Sequence, residues 1–398
     1  MNNQAVTVIR SLLRNPSALA GLLIIAGGLL IAVLGANIRP DDSPDANDQQ
    51  VSLARLKPFS VAKFLVIHND PVAESNFFSR MFFGGKEETD TYIPFDSLYF
   101  EKDLIYYFPY SRTGRVDSAG YRKSVSIVPF LVTGADSSNF KNGVITIYKS
   151  GVSKTFERTQ FIRSILTGNT TTRFYFLGTD TFGRDLLSRI MAGTIVSLSV
   201  GLIAVLVSLV LGIVLGGLAG YYGGWTDKVI MWFVNVIWSV PTLLMVIAIT
   251  VALGKGFTQV FIAVGFTMWV EVARVVRGQF IQLREKDYIT ATRLMGFSDI
   301  RIIFRHLLPN ALAPLIVISA GNFSTAILLE SGLSFLGVGA QVPMPSWGGI
   351  IKSHFNYITT DYAYLALIPG FCLSLLTLAF MLVGNGLRDA LDVRSVEA

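Results

Sequence analysis

The stretch TIVSLSVGLIAVLVSLVLGIVLGGLAG, Thr194 to Gly220, runs for 27 residues without a charged side chain. As a helix it rises ~40 Å, more than the ~30 Å of a bilayer's hydrocarbon core, so it reads as a transmembrane span. The surrounding chain agrees. Of its 398 residues 52% are hydrophobic and only 15% charged, and the mean hydropathy is +0.53. That is outside the range of soluble globular domains.

Five further stretches are apolar enough to cross a membrane: about Ala18 to Ile38, Val229 to Leu253, Val260 to Val276, Leu312 to Leu336 and Tyr364 to Leu387. Six spans are therefore predicted. In the second, Gly212, Gly216 and Gly220 fall on one helix face and admit close approach of another helix, within the chain or from a partner. In the third, Pro241 predicts a bend.

Lys and Arg in short loops set orientation. Arg10 and Arg14 precede the first span, Lys228 separates the second and third, seven Lys or Arg lie between Glu271 and Pro309, and Arg388 and Arg394 follow the last. The opposite short loops hold only Lys255 and Lys352, so both termini are expected in the cytoplasm. A cleaved signal peptide is the alternative for the first span, whose apolar run exceeds the roughly 7–15 residues of a signal h-region. The net charge of +6 is spread as topology determinants, not as a nucleic-acid patch. Cys372 is the only cysteine, which excludes an intrachain disulfide.

Residues 39–177 read as an extracytoplasmic domain inserted between the first two spans, opening on the loop-like RPDDSPDANDQQ, Arg39 to Gln50. Tyr92 to Phe100, Val125 to Val132, Gly143 to Gly151 and Arg173 to Gly178 are short, aromatic and β-branched, and are predicted strands of a mostly β (α+β) unit. His68 has no second His or Cys in this domain to share a metal ion, and is read as structural.

The segment ITATRLMGFSDIRIIFRHLLPN, Ile289 to Asn310, places a basic helix-forming loop among apolar spans. Gly278 to Met295 favours helix, and Gly296 supplies a left-handed stop. Ser298 then caps a second helix, with Asp299 in its first turn. Ile300, Ile303, Phe304, Leu307 and Leu308 fall on its predicted apolar face, and Pro309 is expected to end it. Such a helix pair suits insertion into a partner's groove. Glu271 is expected to pair with Arg274 at the cytoplasmic boundary.

This loop resembles the EAA loop of bacterial ABC-importer permeases, which couples to ATPase subunits. Ala291, Gly296, Leu308 and Pro309 stand at the family spacing, while Thr290 and Thr292 replace its Glu and second Ala, with Glu285 and Asp287 one turn away. GTDTFGRDLLSR (Gly178 to Arg189), ARVVRGQF (Ala273 to Phe280), RHLLPN (Arg305 to Asn310), LSFLGVGAQVPMPSWG (Leu333 to Gly348) and GLRDALD (Gly386 to Asp392) are similar to the dipeptide, oligopeptide and nickel subgroup. The resemblance spans Gly178 to Asp392 and says little of the inserted domain.

What it implies is a six-helix type I importer permease in the bacterial inner membrane. Residues 1–38 would form the cytoplasmic N-terminus and first span, 178–392 the permease core with its coupling loop at about 277–309, and 393–398 a cytoplasmic tail. The implied partners are a second homologous permease, two cytoplasmic ABC ATPases and an extracytoplasmic substrate-binding protein. Peptides are the expected substrates, with nickel or another small solute as the alternative. Asp287, Thr290, Ala291, Thr292, Gly296, Leu308 and Pro309 are the expected coupling residues.

No GxxxxGK[ST] motif occurs, so ATP is expected on the partners. No catalytic residue, cofactor or metal is expected on this chain. In the fifth span Ser319, Asn322, Glu330 and Ser334 fall near one face. They are candidate pathway residues or a structural hydrogen-bond set. A secondary transporter would show ion sites in repeated halves, and no such repeat is seen. A membrane-anchored receptor would explain the inserted domain but not the six spans.

Overall fold

The computed structural model describes residues 2–69, 90–110, 122–135, 137–141, 143–254 and 256–391. Contacts divide the chain into two compact units, Leu34–Ala192 and the remainder, Met1–Val33 with Gly193–Ala398. Lys255 and Arg394, used for orientation, and the tail 393–398 lie outside the described residues.

Two helices open the chain, α1 (Asn2–Arg14) and the apolar α2 (Pro16–Ile38). Asn15 separates them, and its Oδ1 accepts from the N–H groups of Ser17 and Ala18 at 3.0 and 3.2 Å. This satisfies two of the donors that a helix start leaves without intrahelical partners.

The Leu34–Ala192 unit holds two antiparallel sheets. β1 (Ser60–Ile67), β2 (Thr91–Glu101), β3 (Leu104–Pro109), β4 (Lys123–Ser126) and β8 (Thr170–Tyr175) form one, in the order β4-β3-β2-β1-β8. β5 (Ser137–Lys141), β6 (Val144–Lys149) and β7 (Val152–Glu157) form the other. Short helix α3 (Val128–Leu131) and α4 (Arg158–Gly168) complete the unit, and Leu65, Ile105, Ile145, Phe161 and Ile165 are buried together. Val125 to Val132 is not the predicted strand. The chain leaves β4 at Ser126 and turns into α3, where Pro129, which has no N–H to give a ladder, sits in the first turn.

The motif GTDTFGRDLLSR belongs to this unit. The Asp180 carboxylate accepts from the Phe182 and Arg184 backbone N–H groups at 2.8 and 3.0 Å and from Arg184 Nε at 2.6 Å. Ser188 donates its N–H and hydroxyl to Asp185 Oδ2 at 2.7 and 2.5 Å, and accepts from the Asp41 N–H at 3.0 Å. Burial pushes the Asp41 and Asp185 carboxyls above the usual carboxylate range, against hydrogen bonds that pull the other way. His68 Nδ1 lies 2.8 Å from Asp90 Oδ2 on the surface. Among the described residues no group of three or more His, Cys, Asp or Glu is arranged to hold a metal.

Beyond this unit run α5 (Leu186–Tyr222), α6 (Gly224–Trp238), α7 (Thr242–Leu253) and α8 (Phe257–Arg284). They are followed by α9 (Asp287–Leu294), α10 (Asp299–Ile302), α11 (Leu308–Leu336), α12 (Trp347–His354) and α13 (Tyr364–Leu391). Among the described residues, five helices are long and apolar enough to cross a membrane: α2, α5, α8, the run Asp299–Leu336 and α13. α6 and α7 meet that test only as a pair bent by 91°. The bend is a full break at Pro241, which caps α7 because it has no N–H to offer a helix interior.

Val200, Ala204, Val246, Val260, Val264 and Ala326 bury a common core drawn from α5, α7, α8 and α11. The glycine stripe of α5 serves packing inside the chain. A Cβ on Gly216 would lie 2.3 Å from the Ala273 carbonyl oxygen, and one on Gly212 2.5 Å from Val272. Phe323 of α11 stacks on Phe380 of α13 at 4.0 Å, and Ser324 Oγ donates to the Thr377 carbonyl at 3.0 Å.

Candidate functional site

The basic loop is built on the end of α8. Helix does not run unbroken to Met295: α8 stops at Arg284, Lys286 is extended, and α9 starts at Asp287, whose carboxylate sits at the positive end of the new helix. Thr290 and Ala291 face solvent, whereas Thr292 is buried and donates its hydroxyl to the Ile289 carbonyl at 2.7 Å. Gly296 adopts φ 75°. Its N–H reaches the Arg293 carbonyl at 2.9 Å and the Phe297 N–H reaches Thr292 at 3.2 Å. That pair of bonds is a Schellman stop, which favours glycine because a Cβ penalises positive φ.

Ser298 stands at the next N-cap with no side-chain capping bond. α10 then passes through a π turn, Ile303–Leu307, directly into α11. Pro309 therefore does not end the second helix. It has no N–H for an i→i−4 bond to Arg305, and the chain shifts to wider spacing just before it, with the Leu308 N–H on the Ile303 carbonyl. The π turn also changes the phase of the apolar face. Ile302 and Leu307 are buried, while Ile300 and Phe304, expected on that face, are 70% and 60% exposed.

Two kinds of contact hold the loop. Ile289, Ile302 and Leu307 pack with Tyr221, Val276 and Phe280. The Tyr221 hydroxyl donates to Asp299 Oδ1 at 2.6 Å, and the Arg293 guanidinium lies 5.2 Å over the Tyr221 ring. Beneath it, Arg277 grips both Asp227 oxygens at 2.5 and 2.6 Å, tying α8 to α6. Sequence reasoning missed both polar links because their partners are 78 and 50 residues apart. Arg274 does not turn to Glu271: it donates to Asn235 at 2.9 Å and covers the Trp238 ring at 3.7 Å. The outer edge carries Leu294 and Met295, 85% and 62% exposed, beside Ile300 and Phe304.

Ser319 donates to the Leu315 carbonyl of its own helix at 2.6 Å, and Asn322 is buried. Glu330 is fully buried. Its oxygens accept from Ser334 at 2.7 Å and Ser331 at 3.4 Å, with a further bond from Ser346. The loop after α11 closes on this carboxylate: Ser334 Oγ accepts from the Ala340 N–H at 3.1 Å, and Ser346 caps α12 through the Gly349 N–H. A cavity of about 100 Å³ opens at the α6–α7 break, lined by Trp238, Thr242, Thr267, Glu271, Thr325 and Leu329.

Comparison with known proteins settles the family. Binding-protein-dependent transport system inner membrane components match residues 212–396. A dipeptide transport system permease protein, DppC, of Alkalihalophilus pseudofirmus is 43% identical over 55% of this chain and 71% of its own length. This chain belongs to that permease family. Other relatives are the glutathione transport system permease protein GsiD of Pectobacterium atrosepticum, 41% identical over 55% of the chain and 72% of the relative, and the oligopeptide transport system permease protein OppC of Bacillus subtilis, 37% identical over 55% and 71%. Membership makes the chain an inner-membrane subunit that works with a substrate-binding protein and ATPases.

Proposed function

We propose that this permease forms half of the translocation pore of an ABC importer for dipeptides or oligopeptides. In this reading the helices supply six spans, the bent α6–α7 pair counting as one. Residues 39–177 are an extracytoplasmic insertion, both termini are cytoplasmic, and the pore is completed by a second, homologous permease. Peptide cargo is supported by the names of the relatives, transport systems for dipeptides, oligopeptides and glutathione.

The loop from Asp287 to Pro309 is the coupling element. The observation that carries this is its two-sided build: Ile289, Thr292, Ile302 and Leu307 are locked inward, while Leu294, Met295, Ile300 and Phe304 stand exposed around the Gly296 turn. A rigid element with an unpartnered apolar edge can enter a groove of an ATPase subunit and move with it. Thr290 and Ala291 lie on the exposed side. Asp287 starts the helix, Leu308 and Pro309 follow the π turn, and Glu330 with Ser334 holds the extracytoplasmic loop against α11.

Gentle affinity purification with identification of the co-purifying chains tests the assembly. Two ATPase subunits, a second permease and a binding protein carrying peptide are expected. A binding protein loaded only with nickel would replace the substrate class, and absence of ATPase subunits would overturn the importer reading.

A further inference from the structure

The Leu34–Ala192 unit carries an exposed aromatic face at the end where its two long helices leave it. Phe59, Val61, Phe174 and Phe176 are 63%, 50%, 51% and 47% exposed, and Phe59 packs against both Phe174 and Phe176 with ring centroids 6.3 and 5.0 Å apart. Val61 and Phe174 are register partners on β1 and β8. So much apolar surface in one place marks an interaction site.

Its position says with what. The Phe59 N–H donates to the Tyr175 carbonyl at 2.9 Å, and the Leu186 N–H, in the first turn of α5, donates to the Gly178 carbonyl at 3.1 Å, two residues past Phe176. The exit of α2 is laced to the same turn, because the Asp41 N–H donates to Ser188. Both helices are membrane spans by length and composition. The polar residues of that first turn, Ser188 and Arg189, are buried in the unit, so the turn does not hold its helix away from lipid.

The face also changes character along the strands. Val61 and Phe174 lie nearest α5, the next pair on the same side is Lys63 with Thr172, and Leu65 beyond it is buried in the core that Phe161 and Ile165 of α4 share. Lys57 is exposed two residues before Phe59. Aromatic side chains bordered by lysines are the composition that settles at a membrane interface, rings among the acyl boundary and ammonium groups at phosphates.

We propose that Phe59, Val61, Phe174 and Phe176 rest in the headgroup region of the bilayer that α2 and α5 enter, with Lys57 and Lys63 reaching lipid phosphates. The unit thereby gains a third attachment to the membrane beside its two covalent ones. This rests on α2 and α5 being spans, not on the transport reading.

The test places an environment-sensitive nitrobenzoxadiazole label at Phe174→Cys in a Cys372→Ser background. The whole complex is reconstituted in phosphatidylethanolamine and phosphatidylglycerol vesicles. The control label is at Thr91→Cys, exposed and paired with Ile67 at the opposite end of β1, ~20 Å further along the strand. Headgroup-spin-labelled lipid should quench the Phe174→Cys label at least threefold more than the control, with iodide showing the reverse order. Equal iodide quenching at both sites would mean the face is in water. Protection of the Phe174→Cys label from both quenchers would mean a protein covers it. Either result overturns the proposal, and neither bears on uptake.

Discussion

Tyr221, at the end of α5, donates its hydroxyl to Asp299 at 2.6 Å, so the first turn of the second loop helix is bound to a membrane helix 78 residues earlier in the chain. The bond lies beside the buried Ile289, Ile302 and Leu307. Force applied at the loop's exposed edge has a polar and an apolar route into the spans.

Tyr221→Phe keeps the ring and removes the donor, leaving the Asp299 carboxylate to water. The expected loss is about 0.5–1.5 kcal/mol, read as a roughly two- to twelvefold fall in uptake at unchanged membrane level. Asp299→Asn retains an acceptor and should stay near wild type. Equal behaviour of the two variants would show that the bond does not transmit coupling.

At Gly296 the φ of 75° penalises any side chain by about 1–2 kcal/mol, and a β-branched one most. Gly296→Val should therefore distort the turn and uncouple ATP hydrolysis from uptake while the protein still reaches the membrane. Normal substrate-stimulated hydrolysis together with normal uptake would refute the lever.

Glu330 tests whether its charge matters. Glu330→Gln can still accept from Ser334 and Ser346, so complex yield and uptake should both remain close to wild type. Glu330→Leu strands those hydroxyls in a buried site, at about 1–3 kcal/mol each, and should sharply reduce yield. A selective loss of uptake with Gln would instead give the carboxylate a part in passage.

Asp41 and Asp185 bind protons more tightly in the folded unit than in the unfolded chain, because burial raises both carboxyls. From the unfolded value near about pH 4 up to the raised folded values, the native state holds more protons. Stability should therefore fall as pH rises through that window. Asp185→Asn should flatten part of the slope in thermal unfolding of the whole chain. An unchanged slope would show that Asp185 does not contribute.

Much of the candidate site was legible in local sequence. Gly296 announced its turn because a stop at positive φ is a property of a few neighbouring residues. Pro241 announced a bend, because a proline without an N–H interrupts a helix by its own chemistry. Ile300 and Phe304 part from the buried Ile302 and Leu307 because a π turn shifts helical phase, and periodicity assumes a constant one. The serine cage of Glu330 was half visible: Ser334 lies one turn away on the same helix, whereas Ser346 returns from a loop after it.

The sequence by itself determined the membrane class, the position of the apolar spans and the family, because each depends on residue type and order along the chain. Hydrophobic length is a sum over neighbours and needs no fold to be read. Tertiary structure decided which side chains meet: Tyr221 with Asp299, Arg277 with Asp227, and Phe59 with Phe174 and Phe176. Those contacts join residues 50 or more positions apart, and only the packed backbone brings such distant groups within reach of forces that act over a few ångströms.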